Sequence, residues 1–464
     1  MTRKVIVVGG GPGGYVAAIR AAQLGAEVHL VEKESFGGTC LNVGCIPTKA
    51  LIHSAEIYQQ ILQGAPLGIV AESVKVDWSA MMKHKTGVVN RLVQGVGGLL
   101  KANGVICHAG KAVLKDGNTV EVIGSDRTYD LLGDTIILAM GSENVVIPLP
   151  GHDLPGVISS TEALSLPECP NSLVIIGGGV IGVEFASLYS ALGTKVTVVE
   201  LLPEILPMID SEITGILKSE LTKQGVTFLT EGALKKIEKE SDQLVALVDH
   251  QGESKRLNAE YILIAVGRRG QVSGMNLEET GVLLDRNKVK VNEHFQTSLS
   301  TVYAIGDCNG QMMLAHAASA QGAAAVEHAL GHGGSYWGKT SPSCIYTCPE
   351  VASVGLNEAD AKKQGLQIKV GSFPLAGNGK TLIENGGIGL IKIVAGATYG
   401  EILGVQIVGP RATDLIAEAG LAIRLEATVD ELISTIHGHP TVSEAMAEAA
   451  MMVEDGAIHW SPKR

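Results

Sequence analysis

Aromatic side chains are scarce in this chain. Phe, Trp and Tyr make up 4% of its 464 residues, although hydrophobic residues together reach 45%. The apolar mass is therefore Val, Ile, Leu and Ala, as in buried parallel strands packed against helices. No apolar run approaches the roughly 20 residues that a membrane-spanning helix needs. Basic excess is missing too. Lys and Arg number 36 against 48 Asp and Glu, a formal net charge of −12. That argues against nucleic acid as a partner, which needs a basic face. Met1 to Lys4 leads straight into a strand and leaves no room for a leader, so a cytoplasmic protein is expected. Seven cysteines, an odd number and mostly scattered, do not make a secreted disulfide framework.

What is plentiful is glycine, with 58 residues. Many fall at strand-to-helix turns, where backbone must approach closely. The length suggests about three to four domains. Val5–Val8 reads as a strand, followed by glycines at 9, 11 and 14, a helix to Leu24, a stop at Gly25 and a strand Val28–Val31 ending in Glu32. This is a β–α–β unit with a dinucleotide fingerprint. It recurs without a gap 168 residues later, and ten of the 28 positions from Val5 to Glu32 are identical in the second copy. There the fingerprint is Gly177, Gly179 and Gly182, and the terminal acid is Glu200. One such glycine turn is weak evidence; two in register, each with strand, helix, strand and acid, imply two dinucleotide sites. Glu32 and Glu200 stand where an acid binds the adenosine ribose.

Further buried strands read as Thr135–Ala139 before Gly141, Tyr261–Val266 before Gly267, and Thr301–Ile305 before Asp307. A helix is expected from Leu314 to Leu330, and Gly331–Gly338 reads as a linker. From about Ser341 short strands and helices alternate, the latter expected at Thr413–Leu425 and Thr441–Met452. The expected fold is α/β: two Rossmann-like dinucleotide-binding domains plus a C-terminal α+β domain. The boundaries are 1–145, 146–271, a central region 272–340 returning to the first domain, and 341–464.

Cys40 and Cys45 lie just after the first unit. Cα atoms five apart in an ideal helix are roughly 8–9 Å apart, whereas a disulfide needs less than about 7 Å. A bonded pair therefore excludes a regular helix there. Gly44 permits a distortion, and Pro47 disfavours helix at Ile46. Two buried cysteines near a helix start is the bland alternative.

The stretch Gly37-Gly38-Thr39-Cys40-Leu41-Asn42-Val43-Gly44-Cys45-Ile46-Pro47-Thr48-Lys49, the two fingerprints, Thr301–Asp307, Met313–Gly322 and His437–Glu444 together resemble the FAD-dependent pyridine nucleotide–disulfide oxidoreductase family. The resemblance spans essentially the whole chain and is strongest to members that oxidise dihydrolipoamide. It implies FAD in the first domain, NAD in the second, and a homodimer joined by the C-terminal domain. Cys45 would be the thiol nearest the flavin and Cys40 the thiol that exchanges with substrate. Lys49 and Glu184 would pair beside the flavin, Asp307 would bind its ribityl or pyrophosphate part, and Ala315 and His316 would contact its ring through backbone. His439 and Glu444 would form the acid–base pair, His439 facing Cys40 of the other subunit. Partners would be lipoyl domains or a lipoyl-carrying acyltransferase of a multienzyme complex.

Some residues have competing readings. Thr441 to Glu444 is also a capping box, and His437 lies near enough to be mistaken for the base. Cys344 and Cys348 lack the further ligands of a metal site. Cys107, Cys169 and Cys308 read as inert. Arg268 and Arg269 follow a strand where the family also carries arginine, although arginines there also suggest a 2′-phosphate site. Met140 replaces the family's usual threonine and Gly270 its common proline. Glutathione-type relatives usually take NADPH, and mercuric-type ones carry a C-terminal cysteine pair that His459–Arg464 lacks. A docking subunit without catalysis fits poorly with intact Cys40, Cys45 and His439.

Overall fold

The computed structural model describes residues 2–336, 338–454 and 456–461. The expected linker and the outer domain limits thus include residues 1, 337 and 462–464, which lie outside the described residues. The first β–α–β unit comprises β1 (Lys4–Val8), α1 (Pro12–Gln23) and β2 (Glu27–Glu32). β1 lies inside a five-stranded sheet, parallel to β2 on one side and to Thr135–Leu138 on the other. Val5, Ile6, Val7 and Val8 are all buried, as befits a strand covered on both faces. Thr135–Leu138 in turn pairs with Val302–Ala304, so chain from the central region returns to the first sheet. α2 (Gly38–Val43) and α3 (Cys45–Leu62) come soon after β2.

The second copy builds its own five-stranded parallel sheet around Ser172–Ile176, which pairs with Lys195–Val199 and Tyr261–Ile264. Each parallel sheet has a three-stranded antiparallel companion, 111–132 and 232–259. The C-terminal region forms a five-stranded sheet covered by the helices Ala412–Arg424 and Glu444–Met451.

Two close contacts position the functional residues. The helix Ala315–Ala329 lies against α1 so tightly that a side chain at Gly322 would meet the Gly13 carbonyl at 2.6 Å. Lys392, with a side chain 7% exposed, ties the C-terminal sheet to the second nucleotide domain. Its ammonium lies 3.0 Å from Asp210, which caps the helix Ser211–Lys223, and 2.8 Å from Glu358. Burial opposes the charge, but the hydrogen bonds that Lys392 donates to Glu358 and Asp210 outweigh it and raise the pKa above that of an ordinary lysine.

Lys392→Met should therefore leave buried carboxylate charge without its cation. A loss of about 3 kcal/mol is expected, the usual scale for breaking one side of a buried pair. Denaturant unfolding at neutral pH measures it, and an unchanged midpoint would show the joint to be inert.

Candidate functional site

The two glycine turns have the same construction. Gly9 has φ +103° and Gly177 φ +110°, a backbone region that side chains rarely adopt. A Cβ at Gly9 would meet the Ala139 carbonyl at 2.2 Å, and one at Gly14 the Gly9 carbonyl at 1.8 Å. In the second turn Gly177 meets the Ala265 carbonyl at 2.4 Å and Gly182 the Gly177 carbonyl at 2.0 Å. First and third glycines thus serve packing. The middle ones differ: a Cβ at Gly11 finds nothing nearer than 3.9 Å, and Gly179 faces open space. That space, at the N-terminus of a helix, suits a pyrophosphate.

The two acids match as well. Glu32 accepts from the backbone N–H of Gly10 at 2.6 Å and of Glu34 at 2.7 Å. Glu200 accepts from Gly178 at 2.5 Å and Leu202 at 2.8 Å. Each carboxylate is held at the end of its second strand with lone pairs left for ribose hydroxyls. Arg268 and Arg269 are engaged elsewhere. Arg268 donates to the Ser142 hydroxyl and carbonyl and to Asn144, and Arg269 to Glu143.

Between the turns lie the cysteines. α2 stops at Val43 and α3 starts at Cys45, with Gly44 non-helical between them. A Cβ at Gly44 would meet the Thr39 carbonyl at 2.8 Å, so this break needs glycine. Pro47 does not keep Ile46 out of the helix as expected. Ile46 and Pro47 fall in the first turn of α3, where an N–H has no intrahelical partner and proline is tolerated. Cys40 and Cys45 are both free thiols, and both line the cleft. The neighbouring Cys40 is the largest cause of a Cys45 pKa lowered to about 7; burial opposes it and Lys49 assists. The same pairing, with burial, raises the pKa of Cys40. A shared proton thus favours one thiolate of the pair, on the side of Cys45 and Lys49.

Lys49, one turn further along α3, donates to both oxygens of Glu184 at 2.9 and 2.8 Å. Glu184 is only 4% exposed, and burial pushes its carboxyl pKa up against the pull of Lys49. Tyr346, which the sequence did not single out, completes the group. Its N–H donates to Glu184 at 3.0 Å, and its ring centroid lies 4.6 Å from the Lys49 ammonium. Asp307 accepts from the Ser142 hydroxyl at 2.5 Å, and Ser142 is itself bonded by Arg268. Gly141, Gly267, Ala315 and His316 line the same cleft, with His316 on the Pro342 carbonyl at 2.9 Å. Met140 lines it too, and Gly270 sits where a Cβ would meet the Asn287 carbonyl at 2.5 Å. Cys308 is buried and Cys344 lies at the cleft wall beside Tyr346.

The two histidines separate clearly. His437 is 2.8 Å from Glu418 with a side chain only 8% exposed. His439 is 81% exposed, its Nδ1 2.9 Å from Glu444. Burial opposes ionisation of Glu444, but the Thr441 N–H and His439 together hold its pKa below the ordinary value. The expected capping box is half formed. Glu444 accepts from the Thr441 N–H at 2.9 Å, but the Thr441 hydroxyl donates to the Gly438 carbonyl and the helix starts at Glu444. The turn His439–Thr441 uses that hydroxyl, so it does not cap. His439 and Glu444 are not among the described residues lining the cleft of Cys40 and Cys45.

The cleft is continuous from one glycine turn to the other and encloses about 1900 Å³. That exceeds the roughly 300–1,000 Å³ of a single small-molecule site. Gly9, Gly11, Glu32 and Asp307 line the part of the cleft that fits one dinucleotide, and Gly177, Gly179 and Glu200 the part that fits a second, while Gly14 and Gly182 pack behind them.

Residues 3–322 match the family described as pyridine nucleotide-disulphide oxidoreductase, and residues 341–450 match its dimerisation domain. The chain is 43% identical to a dihydrolipoyl dehydrogenase of Thermus scotoductus, covering 99% of both proteins. It is 41% identical to one of Geobacillus stearothermophilus, covering 98% of this chain and 97% of that protein. Among solved structures, LpdA of Mycobacterium tuberculosis superposes with a TM-score of 0.91 at 26% identity, over 97% of this chain and 99% of that one. The chain thus belongs to the pyridine nucleotide-disulphide oxidoreductases, and it carries that family's dimerisation domain at its C-terminal side.

Proposed function

We propose that the protein acts as a dihydrolipoyl dehydrogenase with FAD and NAD as cofactors. The observation that carries this reading is the cysteine pair Cys40 and Cys45, with the Lys49–Glu184 ion pair, lining a cleft that runs between two dinucleotide turns. The dithiol substrate is oxidised to its cyclic disulfide while the Cys40–Cys45 disulfide is reduced to two thiols. Cys40 is the sulfur that exchanges with substrate. His439 takes the proton from the substrate thiol through Nε2, because Nδ1 faces Glu444. Glu444 fixes the ring and stabilises its cation. Bound FAD and NAD⁺ supply the electron acceptors. Glu32 and Asp307 hold the first of these, Glu200 the second, and Lys49 with Glu184 holds a fixed charge pair beside Cys45.

The acid–base residue would come from the second subunit of a homodimer, since His439 stands apart from the cleft within its own chain. Partners would be lipoyl domains or a lipoyl-carrying acyltransferase, and the compartment the cytoplasm. The boundaries near residues 145, 271 and 340 are read on the same basis.

Three measurements test this reading. Cys45→Ser should keep FAD bound but lose lipoamide turnover by roughly 10³-fold or more, by analogy with removal of a nucleophile. The long-wavelength absorbance that appears on two-electron reduction should vanish with it; full activity in this variant would end the disulfide mechanism. Glu200 should impose NAD over NADP, because a 2′-phosphate would meet its negative charge. Equal catalytic efficiency with NADP would refute that assignment. Finally, mixing inactive Cys45→Ser and His439→Ala chains under subunit exchange should recover partial activity. In the mixed dimer one of the two sites has both parts intact. No recovery despite confirmed exchange would place both parts of each site in one chain.

A further inference from the structure

The acid–base pair has a second pair one helical turn away. Glu444 and Glu448 are four apart on the helix Glu444–Met451 and so share a face. Glu444 gives one oxygen to Nδ1 of His439 and the other to the Thr441 N–H. Glu448 gives one oxygen to Nδ1 of His459 at 2.7 Å and the other to the N–H groups of Ile458 and His459, at 2.9 and 3.1 Å. Both imidazoles are therefore held through Nδ1, with Nε2 outward. Glu448 is buried and His459 exposed. Gly377 leaves room for the tail, since a Cβ there would meet the His459 carbonyl at 3.0 Å.

We propose that His459 is a positioning residue for the acid–base pair: its imidazole balances Glu448 and so sets how tightly His439 holds its proton. The inference rests on the reading of His439 as the proton acceptor. Two unbalanced carboxylates four apart on one helix face repel, and both would draw protons to a nearby imidazole. His459 cancels one of them. Its own pKa is raised, first by the hydrogen bond and charge of Glu448 and then by Glu444, so the tail imidazole senses the carboxylate of the first pair. Among the described residues, the following charged groups near the helix have partners of their own. His437, which also acts on Glu444, is held by Glu418 of the Ala412–Arg424 helix. Lys369 of the strand Ile368–Pro374 is held by Glu454 at 2.9 Å. Glu431 bonds Thr428.

The test is the pH profile of kcat/KM for the holoenzyme dimer with dihydrolipoamide, whose acid limb reports the free enzyme's base. His459→Gln leaves Glu448 uncompensated. His439 then holds its proton more tightly, the acid limb moves to higher pH, and activity on that side falls roughly threefold. His459→Gln combined with Glu448→Gln returns the limb toward the original position. Glu448→Gln alone moves it to lower pH, and this variant decides the matter if His459→Gln fails to fold. An unmoved limb in the soluble variants overturns the proposal, as does an equal shift in the His459→Gln single and double variants. His439→Ala separates the two levels: full turnover in that variant refutes the acid–base reading itself, whereas a dead His439→Ala with an unmoved His459→Gln profile refutes only the role of His459.

Discussion

Three regions of the chain meet at one buried carboxylate. Glu184 sits on the helix that opens the second nucleotide turn, Lys49 on α3 beyond the cysteines, and Tyr346 at the start of the C-terminal domain. Leaving a carboxylate 4% exposed without partners would cost several kcal/mol or force it neutral. Glu184 avoids this only if all three regions are docked in one arrangement. The ion pair therefore enforces a geometry more than it adds stability. It also has an electrostatic result at the thiols. Cys40 is the main cause that lowers the Cys45 pKa and burial opposes it; Lys49 adds to the lowering and Glu184 partly offsets that addition.

The rest of the cleft repeats one solution. Both halves use a first and third glycine for backbone contact, a middle glycine for open space and a terminal acid pinned by two N–H groups. Pinning matters because a free glutamate would lose rotamer entropy on binding a ribose. The halves diverge only beyond the second strand. The first runs into α2 and α3 with the thiols, and the second into the stretch before the Asp210 cap.

Much of this was legible in the residues. Glycine spacing, the acids at 32 and 200 and the cysteine pair are local signals, and Gly9, Gly11, Gly177, Gly179, both acids and both cysteines line the same cleft. Other features had no local signal. Tyr346 acts through a backbone N–H and a ring face, and the Ser142–Arg268–Asp307 chain joins residues on well-separated stretches of sequence. Neither leaves a period or a spacing to read. Pro47 misled because its rule applies to helix interiors, and the helix boundary sits two residues earlier. Thr441 misled because its hydroxyl found a nearer acceptor in Gly438. Only the family pattern, with its histidine directly before Pro440, favoured His439 over His437 in the sequence; each has a carboxylate partner, and burial separates the enclosed one from the accessible one.

The accessible one also links assembly to chemistry. Ile436, three residues before His439, is 97% exposed. Its neighbour His437 is anchored to Glu418, and Leu421 and Leu425, at the end of the Glu418 helix, are both exposed. Exposed apolar side chains on these two linked segments are costly on a lone chain and favour a partner surface. A dimerisation domain supplies one, in a second copy of the same face. On the proposed reading, a partner over these side chains would lower the dielectric around Glu444 and strengthen its hold on His439, because a charge pair gains as water is excluded. The force that joins two chains and the field that tunes the base are then set by the same contact, so a change that loosens the interface should also alter the proton affinity of His439.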